Sequence, residues 1–284
     1  MGSVREVEYS QVVQTVSELC MTANYDLGAD VVEALKNAHA AEESPTGKSI
    51  IEQILENAAI AQEERIPICQ DTGFAVFFVE LGEDLRISGG HLSEAIKEGV
   101  KKGYTEGYLR KSIVDDPVLD RKNTGDNTPP IVHYELVPGD GLTITCAPKG
   151  GGSENMSEVR MMKPADGIEG IKEFVVERVR KSGGNPCPPV VVGVGIGGTF
   201  EKCAFLAKKA LIRPVGQSNP DRRFAEVERE LLKRINDLGI GPMGLGGRTT
   251  ALGVAIETHP CHIASMPAAV NLNCHATRHK RASL

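Results

Sequence analysis

The stretch Arg65-Ile66-Pro67-Ile68-Cys69-Gln70-Asp71-Thr72-Gly73 sets a thiol, an amide and a carboxylate on consecutive positions. It lies between a helical pattern over 49–64 and an apolar strand pattern over 74–81, and connections between regular elements are where sites are most often built. Two more thiols have comparable settings. Cys187 sits in Asn185-Pro186-Cys187-Pro188-Pro189, ahead of the apolar run 190–194, and Cys274 in Asn271-Leu272-Asn273-Cys274-His275. Thiolates are soft ligands, so three loop cysteines could share a metal or an iron–sulfur group. No C-x-x-C spacing joins them, and cysteine is more often a small buried hydrophobe than a ligand. The proline directly after Cys187 matches one that often follows cluster cysteines.

Other motifs carry weaker chemistry. In Lys149-Gly150-Gly151-Gly152-Ser153 the lysine precedes the glycines, the reverse of a phosphate-binding loop. Exposed N–H groups beside a cation and a hydroxyl can instead cradle a carboxylate, or simply make a tight turn. Gly193-Val194-Gly195-Ile196-Gly197-Gly198 matches G-x-G-x-x-G between a strand and a helix. The segment after that helix, 213–220, offers no second strand ending in an acidic residue, so close strand-to-helix packing is the plainer account. His262, which with His259 flanks Cys261, could act as an acid or base near neutral pH, or be an ordinary structural histidine. Asp71 could be only a turn residue, because its side chain bonds readily to nearby backbone.

A net charge of −6 disfavours nucleic acid as a partner, and the basic cluster 278–281 reads as a solvated tail. With 40% apolar and 25% charged residues the chain is of ordinary globular composition. No apolar run reaches the ~18 residues that cross a bilayer, and residues 1–25 lack the order of a signal peptide, so a cytoplasmic location is expected. Seven cysteines, an odd number, argue against disulfides in a reducing compartment. Cys20, Cys203 and Cys146 fall on apolar faces and read as core.

The positioning elements follow from hydrophobic period. Val12, Val13, Val16 and Leu19 recur at helical spacing, 31–41 continues it, and Ser44-Pro45 caps a helix over 46–64. The pattern then changes to a strand over 74–81 and a helix over 92–109, with Gly99 and Gly103 at close-packing positions. Runs 131–137 and 142–146 flank Pro138-Gly139-Asp140-Gly141 like a hairpin. Helices are expected over 154–162, capped by Ser153, and over 168–181. A buried strand over 190–196 and a helix over 200–212 come next, then a helix capped by Asn219 with Pro220 in its first turn. The expected fold is α+β (mixed α/β), one domain over 1–284 with a helical cap at 1–65 and sheet-and-helix lobes at 66–284.

With these residues assembled, the chain resembles the alpha subunit of the two-subunit class I fumarate hydratases, close relatives of the L-tartrate dehydratase alpha subunit. The resemblance rests on Cys69-Gln70-Asp71-Thr72-Gly73, Leu109-Arg110, Asn123-Thr124-Gly125, Lys149 to Ser153 with Asn155, Cys187-Pro188-Pro189, Gly197-Gly198-Thr199 and Asn273 to Arg278. It implies a [4Fe–4S] cluster held by Cys69, Cys187 and Cys274, with one iron left open as a Lewis acid. It also implies Gln70, Arg110, Lys149, Gly150, Gly151 and Gly152 as binding groups for a small dicarboxylate, and Asp71 and His262 near the leaving oxygen. The C–H base comes from a separate module in the family, so a beta subunit and a hetero-oligomer are expected. Fumarate and malate are the first expected substrates and tartrate the second. A nicotinamide dehydrogenase and a non-catalytic iron–sulfur protein are the readings from other classes. The first lacks a second dinucleotide-fold strand, and carboxylate-binding loops argue against the second.

Overall fold

The apolar periods of the sequence become the elements of a computed structural model that describes residues 4–284. In chain order they are β1 (Arg5–Glu8), α1 (Tyr9–Tyr25), α2 (Ala29–Ala41), α3 (Pro45–Glu64), β2 (Phe74–Gly82), β3 (Leu85–Ser88), α4 (Leu92–Glu106), β4 (Ile131–Val137) and β5 (Leu142–Lys149). There follow α5 (Gly151–Glu154), β6 (Glu158–Met162), α6 (Gly167–Ser182), β7 (Val190–Gly197), α7 (Phe200–Ala210), α8 (Arg222–Asn236), β8 (Ala251–His259), β9 (Met266–Asn273) and β10 (Lys280–Ser283). Helices and several sheets are mixed, as the α+β expectation requires. No described helix is long and apolar enough to cross a membrane.

The described residues divide into two compact units, the first made of 4–27, 58–151 and 278–284, the second of 28–57 and 152–277. In the first, a four-stranded sheet runs in the order β10-β5-β2-β4. The buried faces of α1 and α4 join it in one apolar core that includes Val12, Val16, Cys20, Phe77, Val100, Tyr104, Ile144 and Cys146. The helices pack closely because Gly99 and Gly103 carry no side chain. A Cβ on Gly99 would lie 2.6 Å from Val16 Cβ, and one on Gly103 2.8 Å from Ser17 O.

The expected hairpin between β4 and β5 does not form. β2 lies between them, parallel to β4 and antiparallel to β5. Both neighbours are long-range partners of β2, whose five consecutive buried residues from Ala75 to Val79 suit a central strand better than an edge. The basic segment near the end is no solvated tail either. Lys280–Ser283 pairs antiparallel with β5, and Arg278 is buried.

The second unit has a four-stranded sheet in the order β6-β9-β7-β8, with β7 and β8 parallel and the other pairs antiparallel. Its core includes Val175, Val190, Val192, Val194, Leu231, Ile235, Val270 and Leu272. Residues 154–162 do not make one helix. A single turn at α5 gives way to the strand β6, whose residues pair with β9 from Glu158↔Val270 to Met162↔Met266.

Two further expectations are refined in this unit. The cap of α8 is Asp221, whose side chain accepts from Arg223 N, while the Asn219 side chain accepts from Asp221 N and donates to Ile256 O. Packing explains the glycine-rich motif. Cβ atoms on Gly193 and Gly195 would lie 2.1 Å from Ala207 O and 2.0 Å from Cys203 O, backbone of α7. These glycines let strand and helix backbones touch.

Candidate active site

Strand register decides which loops meet. In the first unit Phe74 at the start of β2 faces Lys149 at the end of β5. Lys280 at the start of β10 faces Cys146, and Ile131 at the start of β4 faces Val76. Four stretches far apart in sequence therefore emerge at one end of the sheet: Cys69–Gly73, Lys149–Gly151, 123–130 and Arg278. Gly73, at φ +72°, is a place where side chains are excluded, because a Cβ there would lie 2.5 Å from the Lys149 carbonyl.

Asp71 is the hub of this end. Its Oδ1 accepts from Gly73 N at 3.0 Å and its Oδ2 from Gly151 N at 2.8 Å. A Cβ on Gly150 would lie 3.2 Å from Oδ2, so the glycines let the carboxylate come close. The Asp71 N–H points at Cys69 Sγ, 3.4 Å away, and the Arg278 Nη2 donates to the Asp71 carbonyl at 2.5 Å. The rest of the loop is held from below. The buried Tyr104 hydroxyl donates to the carbonyls of Thr72 (3.0 Å) and Gly73 (3.1 Å), Asn127 Nδ2 donates to Gly73 O (3.1 Å), and Thr72 Oγ1 donates to Arg110 O (3.0 Å). Burial holds the Tyr104 phenol well above its usual range, which keeps it protonated as a donor. Lys149 is buried at 3% exposure, whereas Gln70 and Arg110 are exposed. Gln70 Oε1 accepts from the Cys69 thiol at 3.4 Å.

The second unit brings two of the three cysteines to one end of its own sheet. Val191 faces Asn273, so the loop before β7 and the loop after β9 are neighbours. The carbonyl of Cys187 accepts from His275 N (3.2 Å) and from His275 Nδ1 (3.0 Å), which fixes the proton on Nδ1. Cys187 itself has a left-handed backbone, φ +55°, uncommon for a residue with a side chain and concentrated at functional sites. Gly152 belongs to this unit and is exposed.

His262 is not brought to these cysteines. It lies on the β8–β9 loop, four residues before β9 begins, at the end of the sheet opposite Cys187 and Cys274. An eight-residue strand spans about 25 Å. Its Nδ1 accepts from Ala264 N at 3.1 Å, so the ring proton sits on Nε2. A shallow, open cavity of about 680 Å³ lies here, lined among others by Thr199, Phe200, Lys202, His259, Cys261 and His262.

The donor set can be tested against a sulfur-ligated group. Cys69, Cys187 and Cys274 are half-buried free thiols, Cys20, Cys146 and Cys203 are buried, and Cys261 is exposed. The N–H aimed at Cys69 Sγ suits a sulfur carrying negative charge. Arg278, at 4% exposure, has two nitrogens, Nε and Nη1, with no partner among the described residues. Within the first unit, a soft donor and a buried cation on either side of Asp71 suit an anionic sulfur-ligated group. Neither unit by itself gathers three His, Cys, Asp or Glu side chains into a metal-holding group among the described residues.

Residues 13–283 match the family model described as Fumarate hydratase (Fumerase). The chain belongs to that family. A protein of Methanocaldococcus jannaschii provisionally named L(+)-tartrate dehydratase subunit alpha is 44% identical over 272 residues, 94% of this chain and 95% of its own length. The L(+)-tartrate dehydratase subunit alpha of Escherichia coli strain UTI89 is 35% identical over 286 residues, 99% of this chain and 93% of its own. That of Shigella sonnei is 34% identical over the same span. Both reactions named are additions or removals of water at a hydroxydicarboxylate, so the family is one of hydro-lyases.

Sequence reasoning named Arg278 within a motif but gave it no task, and it passed over Tyr104 and Asn127. Its place four residues after Cys274 was the available signal for Arg278, and the basic run it opens, Arg278-His279-Lys280-Arg281, masked it. Tyr104 and Asn127 gave none, since the backbone carbonyls to which they donate lie thirty or more residues away.

Proposed function

We propose that this chain is the alpha subunit of a hydro-lyase that dehydrates L(+)-tartrate. Fumarate, first in the sequence reading, yields its place because relatives of 34 to 44% identity along nearly the whole chain carry tartrate dehydratase names. That is the observation on which the substrate choice rests. In the reaction a C–H proton leaves the carbon beside one carboxylate, the hydroxyl leaves the next carbon as water, and the enol formed becomes a 2-oxo dicarboxylate.

Cys69, Cys187 and Cys274 would hold a [4Fe–4S] cluster, which when bound supplies a Lewis acid for the hydroxyl. The chain's own residues do the rest of the work on this side. The Lys149–Gly152 stretch, with Gln70 and Arg110, binds and orients the carboxylates and stabilises charge that builds on the one beside the broken C–H bond. Asp71, fixed by Gly73 N and Gly151 N, keeps a lone pair on each oxygen with which to hold or deliver a proton at the departing hydroxyl. A part for His262 requires that a second chain carry it, since within its own unit it stands a sheet's length from Cys187 and Cys274. The C–H base is expected from a beta subunit, in keeping with the "subunit alpha" in the relatives' names.

The test is anaerobic reconstitution of the chain, alone and co-expressed with its partner subunit, with iron and sulfide determined and turnover compared on L(+)-tartrate, fumarate and malate. Tartrate turnover in the pair but not in the lone chain is the expected result. Faster hydration of fumarate than dehydration of tartrate would reverse the substrate order. Binding of zinc alone would remove the mechanism.

A further inference from the structure

We infer that Arg278 binds a carboxylate of the substrate. The choice of ligand rests on the hydro-lyase reading; the need for an anion rests on the structure alone. Arg278 is 4% exposed, and among the described residues its hydrogen bond runs from Nη2 to the carbonyl of Asp71. Nε and Nη1, carrying three N–H donors between them, have no partner among the described residues. A guanidinium is a planar, delocalised cation with its donors in a fixed fork.

A buried cation with unspent donors is strongly disfavoured unless something negative completes it. The nearest candidate within its unit does not. Arg278 reaches Asp71 only through its backbone carbonyl, and the carboxylate oxygens are turned instead to Gly73 N and Gly151 N. No carboxylate pairs with Arg278 among the described ion pairs. The register explains why the charge is there at all. Lys280 faces Cys146 on β5, so the residues before β10 are delivered to the end of the sheet where Asp71 and the Lys149 stretch meet. The same residue that ties down the Cys69–Asp71 loop therefore offers spare donors beside it. A planar ion with several fixed donors suits a carboxylate better than a lysine would.

The full-length, iron-free chain, labelled with nitrogen-15, lets the Arg278 Nε–H signal be followed by nuclear magnetic resonance and assigned by its loss in Arg278→Lys. L(+)-tartrate, inorganic sulfate, and then iron with sulfide are added in separate arms. The expected result is a saturable shift with tartrate, and by calorimetry about a 10- to 100-fold weaker tartrate affinity in Arg278→Lys, the loss of one charge-assisted bond. The wild-type titration decides even if the variant fails to fold, because a buried Nε–H also declares itself by slow exchange with water. A signal that stays put with tartrate, or moves only when the cluster assembles, overturns the inference and gives the charge to solvent or to cluster sulfur. A tartrate shift in a chain that never assembles a cluster would leave the inference standing and remove the hydro-lyase mechanism.

Discussion

Asp71 and Glu42 are both carboxylates turned toward backbone N–H groups, one in each unit, and the difference between them separates a carboxylate with room for a further partner from a fastening. Glu42 is 2% exposed and accepts from the N–H groups of Glu43, Ser44, Arg248 and Thr249. Desolvation opposes its charge, but these donors win and hold its carboxyl down at about 2. Gly47 and Gly247 crowd it so closely that a Cβ on either would lie about 3 Å from its side chain. Nothing is left for a substrate. Asp71 takes two donors, one per oxygen, and remains half-buried. A carboxylate held by its partners but not used up by them can still accept another hydrogen bond.

The largest expected effect breaks this contrast on the Asp71 side. Asp71→Asn should lower kcat by ~10²–10⁴ in the reconstituted complex while iron and sulfide content is kept. The amide must also turn an NH₂ toward either Gly73 N or Gly151 N, so a stability loss of about 1–3 kcal/mol should accompany it. Retention of more than about a tenth of kcat would make Asp71 a fastening like Glu42.

Glu42→Gln comes second and should touch stability rather than chemistry. A folded-state carboxyl at about 2 against an ordinary 4.5 corresponds to roughly 3 kcal/mol. Because the folded value is depressed, that contribution is complete above about pH 4.5 and is lost as pH falls toward 2. Urea unfolding at several pH values should thus show wild type losing stability over this range more steeply than the variant. Parallel profiles would contradict the assignment. Third, Gly193→Ala should destabilise by about 1–3 kcal/mol or more by prising α7 from β7, whereas Gly141→Ala, with nothing within 4 Å of its Cβ position, should stay within about 0.5 kcal/mol. The smallest effect is expected for His262→Asn, within about 0.5 kcal/mol in chemical denaturation. If its role is exercised across chains, mixing it with inactive Cys187→Ser chains should recover activity; no recovery would leave His262 a surface residue.

Local patterns carried much of the fold. The helical stripe of α1, the buried run of β7 and the close-packing glycines of α4 could all be read because each is decided by neighbours three, four or two residues away. Pairing partners could not. The choice of β2 over β4 as neighbour of β5 depends on competition for a central place in the sheet, and the strand β6 was mistaken for helix because only its partner β9 makes it extended. The same limit governed the site. Cys69, Asp71 and the Lys149 stretch stand out by composition, but the burial of Arg278 and the remoteness of His262 from Cys187 and Cys274 follow from register, which no local window records.

The pairing of β10 with β5 also orders events in time. During synthesis β5 leaves the ribosome with β2 already available on one side, but its other edge stays open until residue 280 appears, roughly 130 residues later. At translation speeds of ~5–20 residues per second that is on the order of ten seconds with an apolar strand edge unprotected. The closing strand is only four residues long, and it brings Arg278 with it. The step that seals the nascent sheet against wrong neighbours is thus the step that delivers the last charge to the site, so a chain stalled before residue 278 would be both adhesive and inert.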